Sequence, residues 1–323
     1  MSHPHPVCRE IEPDLPVVAA GEASRAVAER VGRHVGDCVA CHQELQRYRA
    51  VEGLVGRLRD VPLPGGDPTL ARAELESRLA DLRSRLVSFG IFPSPLGSIL
   101  IARSELGVAM VRYLSGSGRG IGAEVHRVLG EDAVEDRAAI EALHAELIAY
   151  LEGRRTRLDW QLDLRLARSD FHRDVLRATA AVPYGAVTSY RGIATEIGHP
   201  SAVRAVAQAL RHNPLPIVVP CHRIIGAHGD LTGYAGNRLG LKERLLAVEG
   251  VRTERVAKAP HIARHALYHY DPNEQHEYCL PTCGEIARRP IGPLTLFASR
   301  ERAEALGLVP CTSCRPDLHP LPA

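Results

Sequence analysis

Asn213-Pro-Leu-Pro-Ile-Val-Val-Pro-Cys-His-Arg-Ile-Ile225 is the stretch that decides the organisation of this chain. Its prolines cannot continue a helix, so we expect an extended segment that holds Cys221 on a stiff track. The thiolate is the reactive form of cysteine, and an adjacent imidazole can accept the thiol proton. Cys221 and His222 are therefore candidates for a nucleophile and its base, which would communicate through a turn or a bridging water. The alternative is a buried cysteine beside a core histidine.

Two short helices are predicted before this segment. Thr188 or Ser189 can cap a helix that runs through Ile197, and Gly198 ends it before a second helix from about residue 201 to 212. Two helices joined by a glycine-containing turn form a helix-turn-helix candidate, although many pairs of core helices share this pattern.

The second helix favours a nucleic-acid surface. Its alanines let a backbone approach DNA closely, and Arg204 and Arg211 can contact phosphates or fill the position of a base that has left the stack. Residues 168–249 contain ten Arg or Lys against six Asp or Glu, whereas the whole chain has a net charge of only +2. Any electrostatic attraction to DNA is therefore local.

The residues upstream predict a linker and a small α/β unit. Prolines and glycines at 61–68 interrupt any helix, and a charged helix is expected over 71–86. Residues 87–113 indicate a hairpin-rich strand region, followed by a helix at 138–151 and a strand at 158–166. This unit contains no obvious reactive group.

An acidic residue ends the helix that is predicted from Leu241. Glu249 stands just before Gly250, a C-terminal cap, at the end of the helix dipole where a negative charge is disfavoured. Something other than helix stability should explain its presence.

These motifs, in this order, resemble the O6-alkylguanine-DNA alkyltransferases. The resemblance covers about residues 87–250 and is carried by Thr188-Ser-Tyr, Arg204-Ala-Val, Asn213-Pro, Pro220-Cys-His-Arg, Gly233-Tyr-Ala-Gly and Leu245-Leu-Ala-Val-Glu-Gly. It implies a suicide enzyme that moves a methyl or larger alkyl group from O6 of guanine onto its own cysteine. The same resemblance leaves O4 of thymine open as a second target.

The resemblance also implies roles for individual residues. Cys221 matches the alkyl acceptor, His222 the base that acts through water, Glu249 the carboxylate that orients the imidazole, and Asn213 the residue that braces the active-site turn. No organic cofactor is needed for this chemistry.

A second group of matched residues concerns DNA. Tyr190 and Arg204 match the residues that rotate the damaged nucleotide out of the duplex and occupy its place, which is necessary because the target atom lies inside the helix. Arg211 joins them as a predicted DNA contact. The guanine pocket is predicted at Tyr234, Ala235 and Pro216.

Two features depart from the family pattern. The loop from Gly233 to Lys242 is one residue longer than usual before its lysine, which puts the pocket wall in question. Phe171-His172 stands where Phe-Gln is common, a change that we expect to alter only surface contacts.

The positions of the eight cysteines indicate the cellular compartment and the kind of site that the cysteines form. Three lie near the start, four near the end, and Cys221 stands alone between the two groups. The start lacks the features of a signal peptide and no stretch is apolar enough for a membrane span, so we expect a cytoplasmic protein without a membrane partner. In that compartment, paired Cys-x-x-Cys spacings more often hold zinc than form disulfides.

The N-terminal cluster consists of Cys8, His34, Cys38 and Cys41. A histidine and a cysteine four apart share one face of a helix, and Cys-x-x-Cys closes a turn, so four ligands can meet at a tetrahedral zinc. Scattered free thiols are the alternative. The arrangement resembles the zinc-binding domain of anti-sigma factors, which implies a sigma factor as a partner.

An apolar stripe follows this cluster, formed by Leu45, Tyr48, Val51, Leu54 and Leu58. It could cover a partner protein, or it could pack on the catalytic domain. Both interpretations stay open at this point.

The C-terminal cluster consists of Cys279, Cys283, Cys311 and Cys314. With its surrounding residues it resembles the metal-binding domain of Ada-type regulators, in which the first cysteine also accepts methyl groups from phosphotriesters. The separate DNA-binding helices of those regulators are absent here, so we favour a structural zinc.

The predicted fold is α/β and multidomain: a small ribonuclease-H-like α/β unit and a helical helix-turn-helix alkyltransferase domain, flanked by two small zinc-binding domains. The predicted boundaries are 1–60 for the anti-sigma-like domain, 61–86 for a linker and helix, 87–166 and 167–250 for the two alkyltransferase parts, 251–265 for a linker, and 266–323 for the Ada-type domain.

The predicted function is repair of double-stranded DNA that carries alkylated guanine, by irreversible transfer to Cys221 with two structural zinc ions per chain. The competing interpretations are a catalytically silent lesion binder and a zinc-dependent regulator of a sigma factor. The presence of Cys221 favours the enzyme over the silent binder.

Overall fold

The computed structural model describes residues 6–59, 69, 72–77, 86–114, 125, 127–129, 133–236, 238–274 and 276–322. The chain forms two compact units, Met1–Glu76 and Ser77–Ala323. No helix within the described ranges is long and apolar enough to cross a bilayer. Residues 72–77 of the helix predicted over 71–86 are helical; its other residues except Leu86, and the linker predicted at 61–68, lie outside the described residues.

The first unit is helical. Its helices are α1 Pro6–Ile11, α2 Leu15–Ala19, α3 Arg25–Asp37 and α4 Val39–Arg59. Ser24 caps α3, as its hydroxyl accepts a hydrogen bond from the amide of Val27. Buried side chains from all four helices form its core: Ile11, Leu15, Val31 and Leu45.

A four-stranded sheet opens the second unit. Its strands are β1 Val87–Phe92, β2 Ile99–Ser104, β3 Gly107–Tyr113 and β4 Ala133–Glu135, in the order β3-β2-β1-β4. The β1–β4 pair is parallel, whereas β1–β2 and β2–β3 are antiparallel. Helix α5, Arg137–Leu151, is capped by Asp136 and follows β4. The predicted hairpin region and helix are therefore confirmed.

The strand predicted at 158–166 is wrong. This segment touches β3 at a single isolated bridge, Val108 to Leu162. The side chain of Asp163 accepts hydrogen bonds from the hydroxyl of Ser104 and from the backbone amide of Arg165. These polar contacts turn the chain away from β3, because the side chain takes the place of a continued ladder.

The helical part of the second unit contains the predicted helix pair. Helix α6 is Asp170–Ala180, β5 is Ala186–Ser189, α7 is Tyr190–Glu196 and α8 is Val203–Arg211. Ser189 caps α7 by accepting from the amide of Gly192 at 2.9 Å. Gly198 has φ +74° after α7, a left-handed conformation that suits glycine. The predicted pair of helices joined by a glycine-containing turn is therefore present.

The segment that carries Cys221 is not extended, which corrects our expectation. Leu215 donates its amide to the side chain of Asn213, Ile217 has φ +77°, and residues Cys221–Arg223 form a 3₁₀ turn that leads into β6, Ile224–Ile225. Proline fixes its own φ and restricts the residue before it, so a residue that follows a proline, such as Ile217, remained free to turn the chain. Cys221 and His222 therefore lie on one 3₁₀ turn.

The remaining residues build onto the same unit. Helix α9 is Leu239–Val248, and residues 251–265 hold a hairpin of β7 Thr253–Val256 and β8 Ala259–Ile262. The C-terminal module, residues 266–322, contains β9 Tyr268–Tyr270, β10 Glu277–Cys279, β11 Thr295–Phe297, α10 Arg300–Glu304 and β12 Val309–Pro310. Its strands join β5 and β6 in one six-stranded sheet, in the order β12-β10-β9-β11-β5-β6.

Candidate active site and metal centres

Cys221 lies in the wall of a cavity of about 560 Å³. Four other residues that the sequence assigned to the site share this wall: Arg211, Asn213, Pro216 and Ala235. The cavity lies between the first sheet and the helical part, since Tyr113 of β3 and Leu210 of α8 also line it. Cys221 therefore belongs to the wall between these two parts of the second unit.

Asn213 braces the turn that carries the thiol. Its side-chain amide donates to the carbonyl of Val219 at 2.8 Å and to the sulfur of Cys221 at 3.2 Å, while its oxygen accepts from the amide of Leu215 at 2.9 Å. One side chain thus fixes both ends of the turn, and it offers a hydrogen bond that stabilises a thiolate.

Burial raises the pKa of the Cys221 thiol, although the hydrogen bond from Asn213 and the charge of Lys242 oppose the rise. The thiol is therefore protonated at neutral pH and needs a base in order to react. Lys242 is fully buried and donates to the carbonyls of Ile224 and Thr232, and burial lowers the pKa of this lysine to about 8.

His222 is the nearest base along the chain, and Glu249 holds it. Nε2 of His222 lies 2.5 Å from Oε1 of Glu249, and both side chains are completely buried. Burial lowers the pKa of His222 despite the opposing charge of Glu249, so the imidazole is neutral. An ionised carboxylate can only accept, so Nε2 carries the proton and Nδ1 has the free lone pair. Nδ1 is buried and makes no hydrogen bond with the described residues.

Glu249 is ionised in spite of its burial. Burial alone would raise its pKa, but His222 and Arg223 outweigh that effect and lower the pKa to about 2. Arg223 reaches both carboxylate oxygens, at 2.8 Å through Nε and 3.1 Å through Nη2. The hydroxyl of Tyr150 and the amide of Gly185 donate to the same carboxylate. Arg223 and Glu249 therefore form a buried ion pair. This pair explains why an acidic residue stands at the end of the helix.

Sequence reasoning missed three partners of this network. Tyr150 belongs to α5, Gly185 precedes β5, and Arg223 follows His222 directly. Arg223 was visible in the Pro-Cys-His-Arg motif. A buried arginine needs a buried acid, so its position could have been paired with the unexplained Glu249.

The residues predicted to contact DNA occupy different surroundings. Arg204 and Arg211 are exposed on α8. Tyr190 opens α7 and is partly buried, and its hydroxyl accepts a hydrogen bond from Thr232 at 3.3 Å. The exposed arginines can reach phosphates, whereas Tyr190 is already held by the protein.

Tyr234 is buried and contacts the cavity wall through Tyr113. It is 3% exposed, its ring stands edge-on to His222 at 6.3 Å, and its hydroxyl is 2.8 Å from the hydroxyl of Tyr113. Ala235, its neighbour, has φ +42° and lines the cavity. Tyr113 was missed because it is 121 residues away in the chain.

Both cysteine clusters are assembled as predicted. In each of them one ligand atom from every residue lies within 4.8 Å of the others: Cys8, His34, Cys38 and Cys41, and Cys279, Cys283, Cys311 and Cys314. All eight cysteines of the chain are free. Zn–S bonds of about 2.3 Å place tetrahedral sulfurs about 3.8 Å apart, close to the 3.9 Å between Cys8 and Cys38. Both donor sets fit zinc.

The apolar stripe after the first cluster is partly used within its own unit. Leu45 is 3% exposed and belongs to the core of the first unit, Tyr48 packs against that core, and Val51 is 57% exposed. The side chains of Leu54 and Leu58 lie outside the described residues. The first two positions of the stripe therefore serve the core of the first unit itself.

The chain is similar to a known family through its middle half. Two family models match: the ribonuclease-like domain of 6-O-methylguanine DNA methyltransferase at residues 87–164 and the DNA-binding domain of the same family at residues 170–251. A methylated-DNA–protein-cysteine methyltransferase of Methanosarcina barkeri is 37% identical over 161 residues, which are 50% of this chain and 96% of that relative.

Two further relatives align over a smaller share of this chain or of their own length. The methyltransferase of Mycolicibacterium paratuberculosis is 50% identical over 115 residues, 36% of this chain and 68% of the relative. The crystal structure of Mycobacterium tuberculosis OGT in complex with DNA has 37% identity, covers 50% of this chain and 92% of that one, and has a TM-score of 0.43. On the family models and the archaeal relative, the chain belongs to the methylated-DNA–protein-cysteine methyltransferase family.

Proposed function

We propose that this protein repairs DNA by moving an alkyl group from O6 of guanine to Sγ of Cys221, and that each molecule acts once. The observation that carries the proposal is the position of Cys221. Its protonated thiol lines a cavity beside a neutral His222 whose free Nδ1 has no partner among the described residues.

The proposed reaction starts with proton transfer. Nδ1 of His222 takes the thiol proton of Cys221 through a bridging water, and Glu249 stabilises the imidazolium that forms. The thiolate attacks the alkyl carbon, so that an S–C bond forms and the C–O6 bond breaks with its electrons on the purine. The imidazolium of His222 returns its proton through water, so that guanine leaves with a proton at N1 and His222 is neutral again. The thioether is stable, and the protein is consumed.

We further propose that the damaged nucleotide leaves the duplex. The target atom lies inside the helix, so the base must enter the cavity, with Arg204 taking its place and Tyr190 rotating its phosphate. Arg211, which is exposed and also lines the cavity, would contact the backbone nearby. Pro216 and Ala235, both in the cavity wall, and the buried Tyr234 that contacts this wall would shape the guanine pocket.

Stoichiometry tests this function. A duplex with one O6-methylguanine, supplied in excess over the protein, should lose one methyl group per chain and no more, because the thioether does not regenerate the thiol. Quantifying remaining lesion by nucleoside mass spectrometry gives the ratio. Continued loss beyond one equivalent would contradict a suicide enzyme, and no loss would favour the silent lesion binder.

The pH dependence of transfer tests the role of His222. An ordinary histidine with a pKa of about 6.5 would be roughly one-tenth neutral at pH 5.5, which predicts a tenfold slower transfer than at high pH. Burial lowers the pKa of His222, so the base form persists and we expect a clearly smaller loss between pH 7.5 and 5.5. Single-turnover transfer rates at the two pH values measure this loss. A tenfold fall in the rate would contradict a neutral, buried base.

The same shifts predict the stability of the fold. For both His222 and Glu249 the pKa in the folded state lies below that in the unfolded state. The two groups therefore contribute to the free energy of unfolding at any pH above their pKa values in the unfolded chain. This stabilisation is lost as the pH falls, first for His222 below about 6.5 and then for Glu249 below about 4.5.

We propose that each cysteine cluster holds one zinc ion with a structural role. Cys279 is 6% exposed, and the cavity beside it is lined by the acidic residues Asp271, Glu274, Glu277 and Glu285. Arg289 pairs with Asp271 and Glu274. This surface would repel the phosphates that flank a phosphotriester, which supports a structural metal rather than methyl transfer to Cys279.

Metal content tests both sites at once. Protein purified without chelator should contain two zinc ions per chain, because the two donor sets are separate and complete. We expect Cys38→Ser and Cys283→Ser each to lower the content to one, as measured by elemental analysis against protein concentration. Contents near zero in the wild type would refute both sites, and a Cys221→Ser variant should keep two.

The domain boundaries and the location remain part of this proposal. We place the first zinc domain at 1–60, the alkyltransferase parts at 87–166 and 167–250, and the second zinc domain at 266–323, in a reducing cytoplasm where thiolate clusters persist. For the first domain we favour a structural role over binding of a sigma factor, because Leu45 and Tyr48 are already packed inside the domain. Retention of a sigma factor by the full chain on an affinity column would reverse that preference.

A further inference from the structure

We propose that the C-terminal module is a working part of the Cys221 centre: a metal held by its four cysteines keeps β11 paired with β5, and this pairing positions Gly185 against Glu249. The module would thereby act as a positioning element for alkyl transfer. This inference rests on the proposed transfer to Cys221 and on the proposed second metal site.

The sheet provides the first link. Strand β5 lies between β11 of the module and β6, which directly follows the turn that contains Cys221 and His222. On one side β5 pairs antiparallel with β11 at Thr188–Thr295, Val187–Leu296 and Ala186–Phe297. On the other side it pairs parallel with β6 at Thr188–Ile224 and Ser189–Ile225. The module thus occupies the edge of the strand that supports the active-site turn.

A shared core provides the second link. One buried cluster joins alkyltransferase residues such as Val187, Ile225 and Leu246 to Leu296 of the module. The same cluster contains three of the four cysteines: Cys279, Cys283 and Cys311. The metal site is therefore continuous with the packing behind β5 and β6, and a loosened site would leave a gap in that packing.

Gly185 provides the most direct link. Its carbonyl accepts from the amide of Ala298 in the module at 2.7 Å, and its own amide donates to Oε2 of Glu249 at 3.0 Å. Its φ of +73° favours glycine, and an added Cβ would lie 3.1 Å from the carbonyl oxygen of Glu249. One residue is therefore held by the module on one side and holds the carboxylate of Glu249 on the other.

Arg302 of the module makes a parallel contact. Its guanidinium lies 4.7 Å from the ring centroid of Tyr184, a cation–π distance. Tyr184 donates its hydroxyl to the carbonyl of Val248 at 2.6 Å, and its ring stands edge-on to Tyr150 at 5.6 Å. Tyr150 in turn donates to Glu249. The module thus reaches the partners of Glu249 by two routes.

The module depends on its metal for order. Its strands are only two or three residues long, and a single ion would tie together four cysteines whose ligand atoms lie within 4.8 Å of one another. Short elements of this kind rarely remain folded without a metal or disulfide. Without the ion we expect β11 to separate from β5, so that Gly185 and then Glu249 lose a fixed position.

The test compares the wild-type chain with Cys283→Ser and with the matched control Ser313→Ala, an exposed residue of the Cys311–Cys314 turn that is not a ligand. Three quantities are measured: the single-turnover rate, the affinity for lesion duplex and hydrogen–deuterium exchange at residues 184–189. For Cys283→Ser we expect loss of one metal, faster exchange, and transfer at least about tenfold slower, with duplex affinity unchanged. Ser313→Ala should match the wild type.

A second variant pair keeps the metal in place. Arg302→Ala should slow transfer while Arg302→Lys restores it, because lysine retains a cation over the Tyr184 ring. The inference would be overturned if Cys283→Ser kept the wild-type transfer rate and the wild-type hydrogen exchange. It would also be overturned if the variant lost transfer rate and duplex affinity equally through general unfolding. A wild-type chain without transfer, or without a second metal, would instead remove the proposed function beneath it.

Discussion

Cys221→Ser should lose alkyl transfer to below detection while it still binds lesion duplex. Serine is close to cysteine in size, but its hydroxyl is far less acidic, so neutral His222 cannot generate the nucleophile. Removal of a covalent nucleophile costs more than about a thousandfold in rate. Asn213 can still donate to the hydroxyl, so the turn should keep its shape.

Two measurements separate loss of chemistry from loss of fold. Duplex affinity by anisotropy and the melting temperature should both stay close to wild type, because Arg204 and Arg211 are exposed on α8 and do not depend on the thiol. Transfer that continues at a measurable rate in Cys221→Ser would mean that another cysteine accepts the group.

Glu249→Gln should destabilise the protein by about 3–5 kcal/mol and slow transfer by about 10²–10⁴-fold. The change leaves the buried guanidinium of Arg223 without its carboxylate, and the neutral amide can no longer stabilise an imidazolium at His222. Urea unfolding measures the first effect and single-turnover kinetics the second. The exposed Glu141 offers a matched control, for which Glu141→Gln should shift stability by less than about 0.5 kcal/mol.

A double-mutant cycle identifies the interaction. Arg223→Met alone leaves Glu249 as an unpaired buried charge and should cost about as much as Glu249→Gln alone. Because both charges are gone in the double variant, its cost should be well below the sum of the two single costs. Additive costs would show that Arg223 and Glu249 do not stabilise each other.

The sequence predicted those parts of the site whose reactive residues lie close together along the chain. Cys221, His222 and Asn213 lie within ten residues, and Glu249 was conspicuous at a helix end that disfavours acids. The cap of α7 at Ser189 and the end of α9 before Gly250, whose φ is +81°, follow from single residues in the same way. Local patterns of this kind need no knowledge of distant segments.

The parts that were missed depend on contacts between distant segments. Tyr150 meets Glu249 across 99 residues, and β11 pairs with β5 across more than a hundred. A strand of three residues contains too little pattern to name its partner. The failed strand at 158–166 and the turn at Cys221 have the same origin, since side-chain hydrogen bonds from Asp163 and Asn213 redirect the backbone.

The central claim is that Cys221 accepts the alkyl group, and peptide mapping tests it most directly. The intact protein is incubated with a duplex whose O6-methylguanine carries an isotopically labelled methyl group, then digested and analysed by tandem mass spectrometry. We predict one labelled methyl group, on the sulfur of Cys221, with the other seven cysteines unmodified. An unmodified Cys221 peptide from folded protein that binds the duplex, or a label on any other cysteine, would contradict the account.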